Sequence, residues 1–214
     1  MTRRRKVGVY LAIGFLVAFV VWTVLVCFVD RAPIGPQGSV VGMSALNQAI
    51  HRATGVHMAL YVLTDWLGLV PIGTCLCFAI LGLLQWIRRK RILLVDRSIF
   101  VLGGFYLSVM AVFVFFETVV INYRPVLIDG ILEASYPSST TMLVMCVMPT
   151  AMMQIRERIK ARWMRCALYI AISSFLGFMV LARLISGVHW TTDIIGGALI
   201  SVSLVSAYQA LAVD

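Results

Sequence analysis

The sequence predicts an all-α integral membrane protein with six transmembrane helices and both termini in the cytoplasm. Three observations predict it. Mean hydropathy is +0.97, with 61% hydrophobic and only 13% charged residues. The charges gather in short clusters separated by long uncharged runs, and most of the basic clusters fall on one side of the resulting zigzag. A soluble domain cannot bury so much apolar surface, so lipid must serve as solvent for much of the chain. The net charge of +9 does not indicate a nucleic-acid partner, because its residues lie between hydrophobic spans rather than on one polar face.

The runs that carry no Lys, Arg, Asp or Glu are 7–29, 58–87 (interrupted by Asp65), 98–116, 134–155, 166–182 and 194–213. A helix needs about 20 apolar residues, with a range of roughly 17–25, to cross the hydrocarbon core. Strands would be shorter and alternating. Arg3 to Lys6, then Arg88, Arg89, Lys90, Arg91 and Arg97, then Arg156, Arg158, Lys160, Arg162 and Arg165 make fourteen of the 18 basic residues. If every run crosses once, all fourteen share one side, and the positive-inside rule assigns that side to the cytoplasm. The first run has the basic start of a signal peptide. It is too long for an h-region and no cleavage site follows, so a retained anchor is expected.

No repeat or long linker divides the chain, so 1–214 reads as a single transmembrane domain. In the first outer segment, Ser44 is placed to cap a short helix whose Ala45, Leu46, Ala49, Ile50 and Ala53 share a face suited to the outer leaflet. Cys27, Cys75, Cys77, Cys146 and Cys166 lie in or beside apolar runs and read as small hydrophobes without a disulfide framework. No His, Cys or carboxylate cluster has metal-ligand spacing, and neither metal nor cofactor is expected.

The candidate chemistry lies on the other two outer segments. Arg183-Leu-Ile-Ser-Gly-Val-His189-Trp-Thr-Thr-Asp193 places His189 and Asp193 four apart. If the next helix has begun there, both face one way and the carboxylate can orient the imidazole, leaving its other nitrogen as a nucleophile. Asn122-Tyr-Arg124-Pro and Tyr136-Pro-Ser138-Ser139-Thr140 precede the fourth run. Arg124 is a candidate anion clamp, and Ser138 and Ser139 begin a helix whose N–H groups favour an anion. Two guanidiniums, Arg124 and Arg183, meet one aqueous boundary from different spans. Such a pair requires an anion or acidic partners.

At these residues the chain resembles the type 2 phosphatidic acid phosphatase family, relatives of the vanadium haloperoxidases. The family's third motif, Ser-Arg, five residues, His, three residues, Asp, fits Arg183, His189 and Asp193, with Ala182 at the leading serine. The Arg-Pro of its first motif is Arg124-Pro125, and Pro137-Ser138 preserves part of Pro-Ser-Gly-His. The resemblance covers residues 98–214 as a phosphatase-like core. It implies a membrane lipid phosphatase that hydrolyses a lipid phosphate or polyprenyl diphosphate on the extracytoplasmic face of the cell membrane, through a phosphohistidine at His189. Arg124, Ser138, Ser139 and Thr140 would bind substrate, with Asp193 and Arg183 in catalysis and membrane lipids as surroundings.

Two positions depart from the family. Its motif-one lysine is Glu117 here, and its motif-two histidine, the proton donor to the leaving group, is Thr140. A hydroxyl is too weak an acid to replace imidazole, and loss of general acid catalysis costs about 100–10,000-fold. Glu117 is the expected replacement acid, or else a salt-bridge partner of Arg124 or Arg183. His51 and His57 are further donors on the outer side. The departures also admit a catalytically impaired relative that binds or moves phospholipid head groups. A transporter using Asp65 and Glu117 is the remaining alternative.

Overall fold

The computed structural model describes residues 3–212, and these residues form an all-helical fold. The chain ends, whose cytoplasmic placement the sequence predicts, lie outside the described residues. Eight α-helices follow in order: α1 Arg3–Phe28, α2 Ser44–Thr54, α3 Met58–Leu67, α4 Leu69–Arg89, α5 Arg97–Thr118, α6 Ser139–Arg158, α7 Arg162–Ile185 and α8 Thr191–Ala212.

Five stretches are long and apolar enough to cross a membrane: α1, α3 with α4, α5, α7 and α8. The expected fourth span corresponds to α6, which has the length but not the hydropathy of the others, so five of the six expected spans are apolar enough to cross among the described residues. The reason is its position. Its flanks rest on α4, α5, α7 and α8, so residues such as Thr150 and Gln154 face protein rather than lipid. Gln154 donates to the Tyr208 hydroxyl of α8, satisfying both groups inside the bundle. Aromatic and aliphatic side chains of α1, α5, α6 and α8, including Phe19, Phe105, Met142 and Tyr208, form the main core.

The second span is not one helix. It breaks at Gly68, whose N–H reaches the carbonyls of both Thr64 and Asp65, just before Pro71, which has no N–H to continue the ladder to Leu67. α3 packs against α7, and α4 against α5 and α6.

The basic clusters gather at one end of the bundle. Arg158 lies 3.8 Å from Asp96, and Arg3, Arg4, Arg5 and Arg156 line a common cavity. The opposite end is closed by α2, by the segment between α5 and α6, and by the α7–α8 turn. The expected helix at Ser44 is present, but Ser44 is not its cap. Asp30, just beyond α1, accepts from the Ala45 N–H at 2.7 Å and from the Ser44 hydroxyl at 3.0 Å. A carboxylate satisfies the first turn and opposes the helix dipole better than a hydroxyl does. The predicted apolar face of α2 points outward, with Ala45, Leu46, Ala49 and Ala53 exposed, while Asn47 is buried beneath.

Candidate active site

The segment between α5 and α6 carries Arg124 on a small hairpin, anticipated only as an outer loop. Asp129 and Gly130 both have positive φ, the requirement of a tight two-residue turn. Their flanks pair through Ile128 with Ile131 and Tyr123 with Ala134. This register places Glu133 opposite Arg124. The Arg124 N–H donates to the Glu133 carbonyl, and the side chains meet at 3.0 Å between Nε and Oε2. Trp190 pins the hairpin to the α7–α8 turn, its Nε1 donating to the Tyr123 carbonyl at 2.8 Å.

His189 lies in that turn, before α8 begins. The turn needs Gly187, whose φ is +69° and whose Cβ, if it had one, would fall 2.0 Å from the Gly55 carbonyl oxygen. Asp193, in the first turn of α8, accepts from the Trp190 N–H at 2.9 Å, a reciprocal cap. Thr192, Ser135 and Asn122 flank the same carboxylate. His189 Nδ1 lies 3.7 Å from Asp193 Oδ2. This is ion-pair range and longer than a hydrogen bond, because Oδ2 is already held by Trp190.

The other imidazole nitrogen, Nε2, lies 3.3 Å from Arg124 Nη1. A guanidinium only donates, so Nε2 accepts, and the ring proton is assigned to Nδ1 on the Asp193 side. Burial first, then the charges of Arg124 and Arg183, hold the imidazole pKa well below its ordinary value. The ring is therefore neutral at physiological pH, with the lone pair of Nε2 aimed at the guanidinium.

Arg183, on α7, is 1% exposed. Its guanidinium donates to Thr64 Oγ1 at 3.1 Å, to the Tyr61 carbonyl at 3.4 Å and to Thr140 Oγ1 at 2.7 Å, and lies 3.6 Å from Asp65. It also stacks 4.8 Å from the Tyr61 ring centre, and Arg124 lies 5.8 Å from the same ring. Tyr61, Thr64 and Asp65 thus form an arginine platform on one face of α3. The sequence marks Asp65 as an intramembrane acid and does not single out Tyr61, Thr64, Glu133, Asn122 or Ser135. The i, i+3, i+4 spacing of the first three inside an apolar run was the available signal.

Glu117, near the end of α5, pairs with neither arginine, since Glu133 and Asp65 hold those places. It lines a cavity of about 10 Å³ with His189, Ser135 and Ser139. That is room for about one water. Ser138 caps α6, its hydroxyl accepting from the Thr141 N–H, while Ser139 and Thr140 are partly exposed. His51 bonds the Gly187 carbonyl and His57 the Thr54 carbonyl, so both serve local structure.

Fold and site together define an all-helical membrane protein that concentrates two guanidiniums, a neutral imidazole and a buried carboxylate at one end of the bundle. Residues 108–212 match the model of the PAP2 superfamily, and the resemblance read from the motifs is shown over that segment. The fold is similar to the crystal structure described as the first transmembrane PAP2 type phosphatidylglycerolphosphate phosphatase from Bacillus subtilis. The two share 19% identity over 92% of each chain, with a TM-score of 0.53. No curated protein matches the sequence significantly. At the level of the family, the match supports a membrane lipid phosphatase.

Proposed function

We propose that this protein is a lipid phosphatase of the cell membrane that removes phosphate from a lipid phosphate or polyprenyl diphosphate through a phosphohistidine at His189, on the extracytoplasmic face. The reading takes α6 as the sixth crossing and puts the basic end in the cytoplasm. The observation that carries it is the contact of Arg124 with Nε2 of His189, beside an Arg183 locked in place from three sides. A phosphoryl group displacing Arg124 from Nε2 meets the nucleophile and a donor fork together.

Nε2 attacks phosphorus and the lipid oxygen departs. Arg124 and Arg183 stabilise the charge on the equatorial oxygens. The Nδ1 proton stays toward Asp193, which stabilises the imidazolium character of the intermediate. Water then attacks the phosphohistidine, and phosphate and free His189 result. Ser139 and the first N–H groups of α6 are further oxygen donors.

Glu117 supplies the leaving-group proton in this proposal, because it is the acidic side chain that shares a cavity with His189. Thr140 cannot take that role, because a hydroxyl is too weak an acid; its oxygen accepts from Arg183 instead. A diphosphate substrate departs as phosphate monoester and needs the acid least, so polyprenyl diphosphates are hydrolysed better than phosphatidic acid.

Phosphate release by the purified protein from polyprenyl diphosphate and phosphatidic acid tests the reading, with His189→Ala and Glu117→Gln as comparisons. His189→Ala should abolish release. Glu117→Gln should lower phosphatidic acid turnover by about 100-fold or more and diphosphate turnover less. Release that survives His189→Ala rejects the phosphohistidine, and unchanged monoester turnover in Glu117→Gln rejects Glu117 as the acid.

A further inference from the structure

Two apolar cavities run end to end along the groove between α4 and α5. The upper, about 370 Å³, is closed on one side by α6 and reaches Ser139, Thr140 and Phe113. Ser139, Phe113 and Met142 also line the small cavity at His189, so the groove begins at the reaction centre. The lower, about 500 Å³, continues from Cys75 and Tyr106, which line both, down to Trp86 and Ile92 near the basic end. From Phe113 to Ile99 along α5 is fourteen residues, or about 21 Å of helix. That is roughly two thirds of a ~30 Å hydrocarbon core.

From this continuity we infer that the α4–α5 groove is a ruler for one long hydrocarbon chain of the substrate, seated lengthwise from the phosphate site to Trp86. The inference rests on the lipid phosphatase reading and adds the chain that the site selects. The two cavities lie in series and not side by side, so the groove takes one chain; the occupant is a polyprenyl lipid phosphate, the substrate class that the leaving-group argument of the lipid phosphatase reading favours. Moving a chain from bilayer to groove changes little apolar hydration, so bulk lipid gains nothing there. A substrate gains, because a headgroup held at His189 fixes where its chain starts and makes the rest of the contact intramolecular. Gly103 and Gly104 keep the lower cavity open: both are exposed, and a Cβ on either would meet no atom within 4 Å.

Those glycines allow a test that fills the groove without touching the site. Gly103→Trp would be compared with wild type and with Gly14→Trp, an equally open glycine on α1 outside the groove. Phosphate release is measured from a two-isoprene diphosphate, too short to pass Tyr106, and from a long polyprenyl diphosphate. The expected result is a fall of about tenfold or more in the long-to-short ratio of kcat/KM for Gly103→Trp, with Gly14→Trp unchanged. An unchanged ratio, or an equal loss on both substrates, overturns the ruler. In parallel, a photoreactive long-chain polyprenyl phosphate should label α5 in wild type and not in Gly103→Trp. Labelling without any hydrolysis would reject the phosphatase reading and keep the groove. Absence of α5 labelling in wild type would reject the groove even where hydrolysis is robust.

Discussion

Nη1 of Arg124 lies 3.3 Å from Nε2 of His189, so a hairpin side chain occupies the accepting nitrogen of an imidazole 65 residues away. The contact assigns the imidazole tautomer, and in the proposed reaction it is the place the phosphoryl group takes. Removing it should be costly. Arg124→Ala should lower kcat/KM for phosphate release by about 100–1,000-fold, the usual loss on deleting a transition-state charge donor. Arg124→Lys should recover only part, because an ammonium cannot present a planar donor fork. Full activity of Arg124→Ala in steady-state assays would contradict this assignment.

The depressed pKa of His189 predicts an acid-tolerant enzyme. Only the neutral ring can attack, and burial with the Arg124 and Arg183 charges keeps it neutral well below the ordinary ~6.5. The acid limb of kcat/KM attributable to this group should therefore fall below pH ~6.5, and Arg124→Ala should move it upward. Stability runs the other way. Below pH ~6.5 the unfolded imidazole takes a proton that the folded one refuses, so the contribution of His189 to folding falls with pH from there down to the folded pKa. A pH–rate profile for wild type and Arg124→Ala checks the first statement, and thermal unfolding between pH 7 and pH 5 the second.

Tyr61 is a positioning residue whose ring holds both guanidiniums, at 4.8 and 5.8 Å. Cation–π contacts contribute about 0.5–2 kcal/mol each. Tyr61→Phe keeps the ring and should behave like wild type. Tyr61→Leu should lower kcat/KM several-fold or more, and guanidiniums that drift from His189 should let its pKa rise. A loss in Tyr61→Phe as large as in Tyr61→Leu would show that the hydroxyl, not the ring face, matters.

Gly187, two residues before His189, is a position where the backbone tolerates no side chain. Its φ of +69° and the 2.0 Å approach of the Gly55 carbonyl make Gly187→Ala expected to lose about 1–3 kcal/mol and to displace His189. Lower Tm together with lost phosphate release is the anticipated outcome, whereas Gly14→Ala, where a Cβ meets open space, should leave both unchanged.

The spans were legible because hydropathy and charge are properties of composition, and the bilayer imposes one length on every crossing helix. Arg124, Arg183, His189 and Asp193 were legible from their places at the ends of apolar runs and from the motifs they resemble, and the structure brings them together. The i, i+4 relation of His189 and Asp193 was less informative than it looked. The helix starts after His189, and Trp190 takes the carboxylate oxygen that the imidazole was expected to use. The Asp129-Gly130 pair, flanked by Val126, Leu127 and Ile128 on one side and Ile131 and Leu132 on the other, was a readable hairpin signal that the search for long apolar runs passed over.

By itself the sequence determined that the chain lives in lipid, where its long apolar runs lie, and that most of its basic residues share one end of the bundle. Each of these depends on local hydrophobicity and on short-range spacing. Only the tertiary structure decided which acid serves which base: Glu133 for Arg124, Asp65 for Arg183, and Glu117 for neither. It also decided that Tyr61 lies beneath both arginines and that α6 is covered by protein. Those choices join residues far apart in the chain, and they follow from packing and desolvation, which no local pattern records.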